Sequence, residues 1–101
     1  MDIILILHFT DHELVINKYT TIDISRAPRT LNINISNTEK ELSLSETFDL
    51  ILKYLGKDET FSVTIQTEKS KLTFHNMDVD YHLNADAEVL HLFPFVKPTE
   101  Q

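Results

Sequence analysis

Only one stretch of this chain carries a helical period, and the segments on both sides of it read as strands. In residues 43–56, SLSETFDLILKYLG, the apolar residues Leu44, Phe48, Ile51, Leu52 and Leu55 fall on one side of a 3.6-residue repeat. Ser43 followed by Glu46 predicts a capping box. The serine hydroxyl would accept the amide of the third helical residue, and the carboxylate would reach back to the serine amide. Glu46 and Asp49 suit the positive end of the helix dipole, Lys53 and Lys57 the negative end. Gly56, the only glycine in the chain, stands where a left-handed residue ends a helix without a Cβ penalty. The apolar face is expected to be core, so a charge at Phe48 or Leu52 is expected to unfold the domain. Leu50 and Tyr54 form a second, narrower apolar edge.

Before the helix, residues 2–9 read DIILILHF, with Ile3, Leu5, Leu7 and Phe9 on one face and Ile4 and Ile6 on the other. A strand apolar on both faces is covered on both sides or is a sticky edge, which makes Ile4 and Ile6 candidates for contact between subunits. Residues 12–25 then alternate, with Leu14, Ile16, Ile22 and Ile24 on one parity. Fourteen residues exceed the usual strand length, so this run either bends near residues 18–20 or extends as an arm. Arg26, Ala27, Pro28 and Arg29 break it, and residues 30–36 alternate again with Leu31, Ile33 and Ile35 inward, as in an antiparallel hairpin with one wet face. Residues 37–42 are a polar connection.

After the helix, residues 59–67 predict a strand with Phe61, Val63 and Ile65 inward, followed by a charged turn over residues 68–71. Inward parity then moves from Leu72 and Phe74 to Met77, Val79, Tyr81 and Leu83. Such a switch without a long loop predicts a β-bulge or turn around His75 and Asn76. Residues 88–96, EVLHLFPFV, are apolar on both parities, which points to burial on two sides or an interface involving Leu90 and Leu92. Pro94, lacking an amide donor, belongs at an edge or a strand end. The predicted fold is α+β and mainly antiparallel β, a sandwich or partly open barrel, with one helix at about residues 43–56 packed on a sheet. One globular domain over residues 1–96 is followed by a polar tail over 97–101. With one glycine and three prolines, the turns must use Asn and Asp or longer loops. Candidates are Asp11, Asn37, Asp58, Asn76 and residues 84–86.

Composition removes several functions. No cysteine means no disulfide scaffold, thiolate metal site or cysteine nucleophile. A net charge of −7 opposes direct binding to nucleic acid or to an anionic membrane. The glycine scarcity disfavours a phosphate-cradling loop. The apolar run over residues 3–7 is too short to span a bilayer and lacks a basic flank, so neither a signal peptide nor a transmembrane segment is expected. The expected location is cytoplasmic, in the host cytoplasm or virion if the chain is viral.

Asp78, Asp80 and His82 share one parity and are the candidate metal ligands. Their Cβ atoms step by about 7 Å along a strand, so they do not converge unaided. As a calcium loop the segment fails where Leu83 replaces the sixth-position glycine and Val89 the twelfth-position glutamate. A solvated strand face is the simpler account, and no metal or cofactor is expected. His8, His12, His75, His82 and His91 show no paired metal spacing, and no nucleophile elbow exists, so the chain is expected not to be an enzyme. Arg26 and Arg29, the only arginines, flank a loop proline and are candidate interface residues, because a guanidinium pairs with carboxylates and stacks on aromatics. The expectation is a non-enzymatic structural, assembly or protein-interaction subunit, with a phage tail or head-associated virion component as the analogy. Its partners would be proteins, as a homo-oligomer or larger assembly, with interface residues Arg26, Arg29, Ile4, Ile6, Leu90 and Leu92. The alternative is a small acidic inhibitor that mimics nucleic acid through residues 78–88 and blocks a host nucleic-acid-binding enzyme. A metal- or ligand-dependent enzyme stands third.

Overall fold

The computed structural model describes residues 3–27, 30–38 and 43–96. The described elements are β1 (Ile4–His8), β2 (Glu13–Ile16), β3 (Thr21–Ala27), β4 (Thr30–Asn37), α1 (Leu44–Leu55), β5 (Phe61–Gln66), β6 (Lys71–Asn84) and β7 (Ala87–Pro94). The strands form one antiparallel sheet in the order β2-β1-β5-β6-β7-β4-β3. The fold is α+β: a mostly antiparallel sheet, open rather than closed into a barrel, with a single helix packed on it. Among the described residues, no helix is long and apolar enough to cross a membrane. Pro28, Arg29, residues 39–42 and the polar tail lie outside the described residues.

The sheet cannot be flat. Its edges are β2 and β3, yet only residues 17–20 join them. Five peptide steps reach at most about 18 Å, whereas seven flat strands would hold their outer members about 29 Å apart. The sheet must therefore coil until its edges approach at that connection. The run over residues 12–25 bends where its length demanded, and its halves serve opposite ends of the sheet. The linker is tied down on both sides. Tyr19 Oη donates to the Ile3 carbonyl at 2.7 Å, and the Thr20 amide to the Ser36 carbonyl at 2.9 Å.

A second corner lies within β6. Its first part pairs with β5 and its second with β7. Between them, Phe61 opposes Met77 but Val63 opposes Phe74, so β6 carries one extra residue. Asn76 absorbs it with φ 58°, a left-handed value that Asn tolerates better than most residues. This is the parity switch anticipated at His75 and Asn76. It turns one sheet into two half-sheets, β2-β1-β5 with the start of β6, and the end of β6 with β7-β4-β3. Sheets that turn such corners do so through bulges and bends.

The core lies on the inner face, where Leu5, Leu7, Ile33, Ile35, Val63, Leu90 and Leu92 meet Leu44 and Ile51 of α1. Phe48 stacks on Tyr81 at 5.6 Å. At the other end of the helix, Tyr54 meets Phe9 at 5.8 Å and stacks on His12 at 4.2 Å. Each large side chain so buried contributes roughly 1.5–3 kcal/mol. One expectation is corrected: Leu52 is 47% exposed and no part of the core, while Ile51 is fully buried. The helix touches the sheet along Leu44, Phe48, Ile51 and Leu55, and Leu52 projects beyond that stripe. Ser43 accepts the Glu46 amide at 3.2 Å, the forward half of the predicted capping box.

Two turn residues give a paired prediction. Gly56 ends α1 at φ 60°, ψ −118°, a region essentially reserved for glycine. Nothing lies near enough to clash with an added Cβ, so backbone strain alone sets the cost of Gly56→Ala, expected at roughly 1–3 kcal/mol. Ala85, in the β6–β7 turn, sits at φ 54° with a Cβ already present. Ala85→Gly is expected to relieve about 1 kcal/mol of left-handed strain. Urea melts of both variants against the parent check the opposite signs, and a shared sign would refute this account of the turns.

Candidate interaction surface

The outer face of the sheet carries most of the polar strand residues, with Ile4 and Ile6 of β1 and Val89 and Phe93 of β7 as apolar exceptions. One band crosses four neighbouring strands. Glu13 on β2 accepts from His8 Nδ1 on β1 at 2.9 Å; His8 Nε2 meets Thr64 Oγ1 on β5 at 2.7 Å; Thr64 meets Thr73 Oγ1 on β6 at 2.8 Å. The His8 ring thus bridges the Glu13 carboxylate through Nδ1 and the Thr64 hydroxyl through Nε2. That is the acid–base–alcohol order of a nucleophilic relay. Thr64 is only 1% exposed, however, so its hydroxyl has no path to a substrate. The band works as a transverse polar tie. Ser62 and His75 (2.8 Å) and Asn32 and His91 (3.0 Å) make similar ties between neighbouring strands.

The candidate metal ligands fall on this face without converging. Asp80 and His82 are exposed and Asp78 half-buried along β6. The Asp78 carboxylate accepts the Val79 amide at 2.8 Å, and Asp80 the Tyr81 amide at 2.9 Å. Among the described residues, no group of three His, Asp or Glu side chains is placed to hold an ion.

Residues 78–88 do not form one acidic surface either, because Glu88 points inward. Its carboxylate accepts the Ser45 amide at 2.9 Å, the Leu44 amide at 3.3 Å and Tyr81 Oη at 2.8 Å. It thus fills the amide positions that every helix leaves unpaired at its start, complementing the positive end of the dipole. Burial pushes the carboxyl up, but the Tyr81 hydroxyl, the Ser45 and Leu44 amides and Asn37 together hold it below its ordinary value. Tyr81 is raised in turn, first by its hydrogen bond to Glu88 and then by burial and that negative charge. This cluster has a sequence signal that charge counting passes over. Glu88 shares parity with Leu90 and Leu92, and Asn37 shares parity with Ile33 and Ile35. A polar residue on a core parity must find partners.

The proposed interface residues separate into three groups. Leu90 and Leu92 are fully buried beneath the helix within this chain and present no surface to a partner. The outer face of β7 is instead occupied by His91 and Phe93. Ile4 and Ile6 lie on the outer face, half-buried, with Ile6 opposite the 53% exposed Val15. Arg26 is exposed at the end of β3, with its guanidinium 5.5 Å from the centre of the Phe74 ring. Arg29 lies outside the described residues.

The two sheet edges differ. β2 has four residues, and a cavity of about 230 Å³ beside it is shared with Ser43, Leu44 and Thr47 of the helix start, which shoulders this edge. β3 has seven residues and, among the described residues, pairs only with β4. No protein-family model, no curated protein and no solved structure matches this chain.

Proposed function

We propose that this chain is a non-enzymatic protein-interaction subunit that joins other protein chains through an open edge of its sheet. The observation that carries this is the outer edge of β3. Over seven residues, among the described residues, its ladder is filled on one side only. Sheets ordinarily blunt such an edge with proline, lysine, inward-pointing charge, a bulge or a very short strand; TIDISRA has no proline, lysine or bulge, and its one inward-facing charge, Arg26, stands near its end beside the Phe74 ring. Ile22 and Ile24 on its inner face are only half-buried, so an added strand would complete their cover. The unpaired amides and carbonyls alternate along the edge in the spacing of an extended chain, which favours a protein strand over a small molecule or a duplex.

Light scattering across a concentration series tests this. The expected result is a mass rising above the 11.7 kDa of one chain. A strict monomer throughout, together with full protection of the β3 amides from hydrogen exchange by this chain alone, would overturn the proposal.

A further inference from the structure

Which strand fits the β3 edge is constrained by β3 itself. The geometry points to a second copy of this chain, with two β3 strands pairing antiparallel about a twofold axis at Ile24. This inference rests on the reading of that edge as an interaction surface.

Symmetry limits the registers. A twofold axis relating two antiparallel edge strands stands perpendicular to the sheet, so it preserves the inner and outer faces. Opposed residues must then share parity, and the axis must pass midway between one residue and its own copy. An axis at Asp23 sets carboxylate against carboxylate, which opposed strands disfavour. An axis at Ser25 leaves Thr21 and Ile22 without partners inside β3. An axis at Ile24 uses all seven residues, Thr21–Ala27. It puts Ile24 against its own copy and Ile22 against Arg26 on the inner face, with Asp23 against Ser25 on the outer. No like charges face each other. The isoleucines gain the cover they lack, and the Arg26 stem lies along Ile22 while its guanidinium stays beside the Phe74 ring of its own chain. The β2 edge offers no equivalent, because it is four residues long and flanked by the helix start. A seven-residue pairing is smaller than the roughly 800 Å² per partner of a standard interface, so the dimer forms and dissociates with concentration.

The absence of native cysteine makes single engineered thiols diagnostic. Asp23→Cys and Ser25→Cys sit at exposed positions and are made separately, with Val15→Cys as a β2 control. Each is concentrated and oxidised, alone and in pairwise mixture, beside light scattering on the unaltered chain. The expected result is a cross-linked dimer severalfold more abundant in the Asp23→Cys plus Ser25→Cys mixture than in either sample alone. Equal cross-linking in the separate samples would overturn the Ile24 axis. A concentration-dependent mass with cross-linking only through Val15→Cys would overturn β3 as the interface while leaving an assembling chain. A monomer that never cross-links would overturn both this inference and the proposed function.

Discussion

Ile51→Lys is expected to unfold the domain, and Leu52→Lys to leave it folded. Ile51 is fully buried, and the residue after it is 47% exposed. An ammonium at position 51 would enter a site lined by the inner-face aliphatics, with no carboxylate among the buried residues of that cluster. Burying an unpaired charge costs several kcal/mol even after relaxation, and the Ile51 packing is lost as well, about 2–5 kcal/mol for a large aliphatic side chain. Together these approach the roughly 5–15 kcal/mol by which a domain is stable. At Leu52 the ammonium reaches water, and an exposed substitution of this kind shifts stability by about 0.5 kcal/mol. Circular dichroism and urea melts of both variants decide the matter. Two variants of equal stability would show that the helix is rotated from the orientation described here.

The second large effect concerns Glu88, which joins β7 to the start of α1. Glu88→Gln keeps the shape of the side chain and removes its charge. Hydrogen bonds to a charged group contribute about 1.5–3 kcal/mol each; Glu88 is half-buried and partly screened by solvent, so a loss of about 1–2 kcal/mol is expected at neutral pH. The loss should depend on pH. The folded-state carboxyl titrates below its ordinary 4.5, so near and below that value the unfolded chain binds more protons than the folded one. The contribution of Glu88 is therefore complete above about 4.5 and disappears as pH falls through the lower, folded value. Parent and Glu88→Gln should accordingly converge in stability in acid and diverge toward neutrality. A gap of constant size across that range would show that Glu88 acts through packing, without its charge.

These two residues also show what was legible beforehand. Local period located α1, and the β6 bulge was visible because a period of two turns one extra residue into an exchange of faces. The length of the 12–25 run required a bend or an arm, and the bend is what forms. Leu52 was misplaced for a geometric reason. At 100° per residue, Leu44, Phe48, Ile51 and Leu55 cluster within about 60°, and Leu52 lies about 70° from their centre. A stripe pattern tolerates that spread, but packing on one sheet does not. Glu88 reads as a surface acid by charge alone, whereas its parity with Leu90 and Leu92 places it inward. Strand order was beyond local signals, since β1 finds β5 across the whole length of the helix and both N-terminal hairpins. Arg26 and the β3 edge stood out only in part, because the arginines were conspicuous but an open ladder appears only once strand order is known.

The strand order has a consequence for how the chain comes into being. β1–β2, β3–β4 and the β5-β6-β7 meander are each pieces of local contacts, and among the described residues only two ladders, β1–β5 and β4–β7, are long-range. Both end on the meander, which is made last. A chain growing from its N-terminus on the ribosome therefore holds two isoleucine-rich hairpins with no template until residues 61–94 follow. During that interval the strand sides of β1 and β4 that later receive β5 and β7 are open together with the β3 edge. Unpaired strand edges in a nascent chain invite misassociation, so the dangerous moment for this protein falls during its synthesis, before its C-terminal third arrives to close the sheet.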